Sequence, residues 1–345
     1  MPGRLAAALL AVSAALATPA LGQSVEEFYR GKQINWILSA GEGGGYSSYA
    51  NAFAPYLTKH IPGNPKIVVQ SMPGAGGIRA MMYLSTIAPK DGTTIGLVHS
   101  GVPFAPLFQL NGANFDSRQM NWIGAMSRSA ATCIAWHTSK VKTAQDLFDK
   151  EYVVGGTGGG SQLETYPAML NKLFGTKIKI ISGYKSGNEI YLAMERGEVD
   201  GRCGGGLTSL KTTRPEWLPQ KKALVPLVIA MQRDPSLPDV PAVAEFAKDE
   251  RTKQILQLIL APTEMDRPVL APPGVPAERV EALRAAFHAA ITDPDFLAEA
   301  TKQRLEIEEV SGKEVAEIIR SSFTLPADVI KAAADASEVR GGSGG

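Results

Sequence analysis

The stretch QSMPGAGGIRAMMYLSTIAPKDG, Gln70 to Gly92, sets Pro73, Gly74, Ala75, Gly76 and Gly77 between an apolar, β-rich run and a run of helix formers. Three glycines within four positions add unfolded-state entropy that folding must remove, so the native turn has a use for bare backbone there. A strand, a glycine turn and a helix, in that order, form the repeating unit of α/β architecture. The order recurs elsewhere. Ile34–Leu38 runs into GEGGGYSS at Gly41–Ser48, and Tyr152–Val154 runs into GGTGGGS at Gly155–Ser161. Further β-rich runs at Lys66–Val69, Thr94–Val98 and Cys133–Trp136 alternate with helix-period segments. The alternation predicts an α/β fold with mainly parallel sheets.

The helical segments carry core stripes. Tyr49, Phe53, Tyr56 and Leu57 share one face of a helix, with Pro55 expected to bend it. SQLETYPAMLNKLFG reads as a helix with Ser161 at its N-cap, Glu164 completing a capping box, and Gly175 as its stop. Val280, Leu283, Phe287 and Ile291 form a stripe opened by Pro276. Asp293-Pro294 starts another helix. Ser311 and Glu314 cap a third, with Val315, Ile318, Ile319 and Phe323 inward.

The 345 residues suffice for two domains. Lys and Arg number 35 against 34 Asp and Glu, which leaves no basic footprint for nucleic acid and points to a small partner. MPGRLAAALLAVSAALATPALG reads as a secretory signal: Arg4 begins it, Leu5–Ala17 is too short to span a bilayer, and Ala20-Leu21-Gly22 places cleavage before Gln23. No cysteine stands at the cut to carry a lipid anchor. The two cysteines, Cys133 and Cys203, allow either a bridge in an oxidising compartment or two buried thiols. Gly341–Gly345 is flexible-linker composition.

A glycine loop leading into a helix leaves orphan N–H donors aligned with the helix dipole, which is an anion site. Ser47, Ser48, Thr157 and Ser161 add hydroxyls. Two such loops on separate sheets would hold the ends of a small anion across a cleft. Nucleotide motifs fail: Ser161 stands where the dinucleotide fingerprint needs a sixth-position glycine or alanine, and no Lys-Ser/Thr closes a P-loop. The nucleophile elbow lacks its closing glycine. His60, His99, His137 and His288 have no metal-ligand spacing. His99, ending a strand beside Ser100, sits where α/β sheets open their sites. The sum favours binding over catalysis, with no cofactor and no metal.

Five stretches in order resemble the periplasmic receptors of tripartite tricarboxylate transporters, the Bug-type binding proteins. They are GGGYSSYANAFAPYL, PGAGGIRAMMYLSTIAPKDGTTIGLV, GGTGGGSQLETYPAMLNKLFG with GYKSGNEIYLAMERGEVDG, DPSLPDVPAVAEF, and LAPPGVPAERVEALRAAF. The resemblance covers essentially the whole mature chain. It implies a two-lobed periplasmic binding protein fold of the type II kind, each lobe a mainly parallel sheet flanked by helices, with the ligand between them. Residues 23–128 plus 227–340 are then the first lobe and 129–226 the second. It implies a monomer that closes on a small organic acid (a di- or tricarboxylate or an aromatic acid) and docks on a two-component permease.

Carried over, the ligand residues are Gly44, Gly45, Tyr46, Ser47 and Ser48 in the first loop and Thr157, Gly158, Gly160 and Ser161 in the second. Ser100 and the turn Gly183-Tyr184 join them more weakly. Arg202, in VDGRCGGG, is either a bidentate carboxylate anchor or a solvated surface arginine. The PGAGG turn is expected to lie tight under the first lobe's cleft. The chain departs from the family where Ser47 replaces an Asp and Asn51 an Arg, and where Glu164 and Gly183 replace a His and a Pro. The neutral Ser47 favours a purely anionic ligand. An exported enzyme on the same scaffold, or a module feeding a membrane sensor, is the rival reading.

Overall fold

The computed structural model describes residues 23–158 and 161–338. The expected signal peptide and the Gly341–Gly345 tail lie outside the described residues. The strands are β1 (Gln33–Leu38), β2 (Lys66–Ser71), β3 (Thr94–Leu97), β4 (Asn121–Ser127), β5 (Ala131–Trp136), β6 (Tyr152–Gly155), β7 (Ile178–Ile181), β8 (Gly201–Gly206), β9 (Ala223–Ile229), β10 (Asp266–Ala271) and β11 (Val310–Ser311). They form two sheets, ordered β11-β4-β10-β3-β1-β2 and β7-β6-β8-β5-β9. Each sheet is mixed. β1 runs parallel to β2 and β3, and β6 parallel to β7 and β8, where helices supply the crossovers. The antiparallel half of each sheet holds the strands on which the chain changes lobe: β4 and β10 in the first, β5 and β9 in the second.

Strand alternation divides each lobe's apolar residues between two faces. Trp36 and Leu38 of β1 point into a core with Tyr49, Phe53, Phe287 and Phe296, whereas Ile37 faces Met81, Leu84, Trp122 and Ile319. The stripes at 49–57 and 280–291 are thus buried as their spacing implies, each large side chain contributing about 1.5–3 kcal/mol. In the second lobe Tyr152, Val154, Tyr166 and Met169 fill one face, and Ile134, Ile190, Tyr191 and Trp217 the other.

The expected lobe boundary at 226/227 cuts through β9. That strand pairs with β5 along ALVPLVI, and Ile255, Leu256, Leu258, Ile259 and Leu260 of the helix Glu250–Leu260 bury in the second lobe's core. The chain therefore returns to the first sheet with β10. It then crosses once more: the last helix, Ala327–Ser337, packs Val329, Ala333 and Ala336 into the second core. Cys133 and Cys203 lie directly opposite on β5 and β8 and form a disulfide, settling that alternative.

Candidate functional site

The first loop ends at Gly44, the N-cap of the helix Gly45–His60. Its hydroxyls turn inward: Ser47 Oγ donates to the Gly44 carbonyl at 2.8 Å and Ser48 Oγ to the same oxygen at 3.2 Å. They hold the loop's shape, leaving the backbone N–H groups as its donors. The half-buried Tyr46 donates to Asp266 Oδ1 at 3.2 Å and accepts from the Ser100 N–H at 3.2 Å. Burial first, then the Asp266 charge, push its phenol well above the ordinary tyrosine value. Tyr46 is a strut between the loop, the end of β3 and the crossing strand β10.

His99 packs edge-on against Tyr46 with 4.6 Å between ring centroids, and its Nδ1 lies 3.1 Å from Ser39 Oγ. Burial lowers its pKa, so the ring is neutral near pH 7. Beneath it runs the PGAGG turn, where Gly74, Ala75, Gly76 and Gly77 have φ of 142, 46, 64 and 105°. A Cβ on Gly77 would stand 2.8 Å from Val102 Cγ2 and 3.0 Å from His99 Nδ1. The bare backbone lets the turn press against the ends of β1 and β3, as the sequence implies.

The second loop is tied down by a carboxylate. Glu164, 2 % exposed, accepts from the Gly158 N–H at 2.7 Å, and a Cβ on Gly156 would stand 2.6 Å from it. The expected capping box is therefore absent: Ser161 is the N-cap, but Glu164 serves the loop before it, and the buried Ser161 Oγ has no partner. Gly158 adopts φ +113°. Thr157 is half-buried, and Gly160 lies outside the described residues. The Gly183-Tyr184 turn joins this loop, the Tyr184 N–H donating to the Gly156 carbonyl at 3.1 Å, although Gly183 itself is exposed.

Arg202 is buried, 7 % exposed, rather than solvated. The reason lies in GRCGGG. Cys203 pairs with Cys133 but Gly205 pairs with Thr132, so Gly204 is a bulge, with φ +108° and room for no Cβ within 2.1 Å of the Gln162 carbonyl. The slip brings Gly205 onto the face of Arg202, where a Cβ would fall 2.3 Å from Nη2. The guanidinium thus runs toward the C-terminal end of β8. It lies against Gly187, which opens the helix Gly187–Glu195, and over the Tyr191 ring at 4.8 Å. Its Nε and Nη1 have no hydrogen-bond partner. Because β6, β7 and β8 are parallel, this is the edge from which the Gly156–Ser161 and Gly183-Tyr184 loops also leave.

Two residues escaped the sequence. Arg267, 4 % exposed with φ +58°, stacks 3.8 Å over Tyr49, pairs with Asp266, and bonds Ser127 Oγ at 3.0 Å. Its Nη2 lies 3.7 Å from a Cβ built on Gly45, which puts it beside the first helix N-terminus. Gln162 donates to Ser100 Oγ and to the Tyr166 hydroxyl, both at 3.3 Å, and so joins the lobes. Gln162 lies in the stretch that opens the second-lobe helix, but nothing in that stretch marks it for contact with the other lobe, and Arg267 stands in no motif; only its place next to Asp266 at the start of an apolar strand hinted at a paired, buried charge. No cluster of three potential metal ligands occurs among the described residues. Peptide N–H groups and guanidinium groups are donors of the kind from which an anion can accept.

The profile of the tripartite tricarboxylate transporter family receptor, TctC, matches residues 57–334. No curated protein matches. The fold is similar to that of the periplasmic binding protein BugD, at 20% identity and a TM-score of 0.69 over 88% of this chain and 98% of that one. It is also similar to MatC from Rhodopseudomonas palustris with bound malate, at 18% identity and 0.65 over 89% and 99%. A further R. palustris protein with adipate gives 18% and 0.67 over 88% and 97%. With a profile match running from the first long helix into the last one, the chain belongs to the tripartite tricarboxylate transporter receptor family.

Proposed function

We propose that the protein captures a small organic acid, a di- or tricarboxylate or an aromatic carboxylate, between its lobes in the periplasm and delivers it as a monomer to a two-component membrane permease. The observation that carries this is Arg202: a buried cation with two unpartnered donor nitrogens beside a helix N-terminus. Leaving such a group unpaired is unfavourable, and an incoming carboxylate repairs it with charge-assisted bonds. Gly44, Gly45 and Tyr46 face the ligand from the first lobe. Thr157, Gly158, Ser161 and the Gly183-Tyr184 turn face it from the second, with Ser100 between. The malate and adipate held by two proteins of similar fold support the class. The test is the unfolding midpoint of the chain from Gln23 onward against organic acids, amino acids and sugars. A ligand at about a hundred times its Kd adds roughly 2.7 kcal/mol. A shift confined to acids supports the receptor; none, after unfolding and refolding to strip carried-over ligand, refutes it.

A further inference from the structure

Beyond the Gln162–Ser100 contact lies a second space, which the carboxylate-holding groups do not use. It is a cavity of about 850 Å³ between the lobes, walled by Ile78, Leu107 and Phe108 from the first lobe, Ile259 from the second, and Ile330 from the last helix. Its polar groups differ in depth. Tyr166 sits deep, only 1 % exposed, and Gln162 is half-buried beside it, whereas Lys331, paired with Asp335 at 2.8 Å, has a side chain 75 % exposed at the mouth. Small-molecule sites run to about 300–1,000 Å³ with apolar walls and a few polar groups. A dry apolar space of roughly 150 Å³ already accepts a benzene ring.

Two features connect this cavity to the cleft. Thr165 and Tyr166, in its wall, stand one helical turn, about 5.4 Å, beyond the Ser161 N-cap. Gln162 lines the cavity and reaches across to Ser100, and both its bonds, at 3.3 Å, exceed the usual ~2.7–3.2 Å of a good N–H···O contact. We propose that the cavity is the subsite for the hydrocarbon of an amphipathic carboxylic acid. The acid's carboxylate is held at the second-lobe loop, and its aryl or alkyl body passes the displaced Gln162 and lies along the helix 162–174. The inference rests on the cleft being a carboxylate site.

Calorimetric titration of the mature chain with phenylacetate, 3-phenylpropionate, 4-phenylbutyrate and 5-phenylvalerate tests it, with succinate as a short acid that stays in the cleft. Each methylene entering the cavity tightens binding roughly four-fold. Ala334→Trp, which fills the cavity from the last helix, removes that gain and leaves succinate within two-fold. Ala327→Trp does the same from an exposed position if the first variant folds poorly. Succinate binding with a flat phenylalkanoate series, or a loss from Ala334→Trp equal for long and short acids, overturns the subsite and spares the carboxylate site. If no acid binds at all, both readings fall.

Discussion

Replacing Arg202 with methionine separates binding from stability. The guanidinium is 7 % exposed, no ion pair forms on it among the described residues, and Nε and Nη1 lack protein partners. Each orphan donor is unfavourable by about 1–3 kcal/mol, so the pair amounts to roughly 2–6 kcal/mol. The stacking on Tyr191 at 4.8 Å returns about 1–2 kcal/mol. Methionine fills similar space without donors or charge, so Arg202→Met should stabilise the empty protein by about 1–4 kcal/mol. Affinity for the ligand should fall by about 2–5 kcal/mol, roughly 30-fold or more, because the carboxylate loses its buried partner. Urea unfolding at constant m-value reads the first quantity and calorimetry the second. A destabilised variant with unchanged affinity would refute the reasoning and make Arg202 a packing residue.

The loop clamp predicts that Glu164→Ala, which frees the Gly158 N–H, lowers affinity about ten-fold or more by calorimetry while far-UV circular dichroism stays unchanged. Gly204→Ala places a methyl 2.1 Å from a backbone oxygen at φ +108° and should destabilise by about 3 kcal/mol or more in the same unfolding assay. Cys133→Ala with Cys203→Ala opens a 70-residue loop and should remove about 2–5 kcal/mol while leaving the ligand groups in place, read as a lowered urea midpoint with Kd retained. The Arg233 side chain, then the Ala242 N–H, depress the Glu245 carboxyl to about 2; a pKa below its unfolded value gives stability that is present above about pH 4.5 and lost as pH falls toward 2. Glu245→Gln should flatten that limb of the pH–urea-midpoint curve.

Periodicity made the alternating elements legible because a buried stripe such as Tyr49-Phe53-Leu57 can be read without knowing its partner. The glycine loops were legible for the same local reason: a turn at positive φ writes its need into the residue itself. Lobe membership was not local. β9 and the helix Glu250–Leu260 are apolar whichever sheet they join, and only the β5 pairing decides. Glu164 had the spacing of a capping box, but the closeness of the Gly156–Gly158 backbone offered its carboxylate a nearer donor. Arg202 remained ambiguous in sequence because its burial depends on the bulge at Gly204, a register event set by the partner strand. Arg267 and Gln162 gain their roles from contacts more than 60 positions away, with Ser127 and Ser100.

The final crossing of the chain has a practical side. The described chain starts with Val25–Tyr29 packed on the first lobe and ends with Ala327–Ser337 packed on the second. A fluorescent donor fused ahead of Gln23 and an acceptor fused after the last helix would therefore ride on different lobes. Any change in the angle between them becomes a change in energy transfer, with no insertion into either sheet. The first and last described helices are already placed as the two arms of an optical gauge.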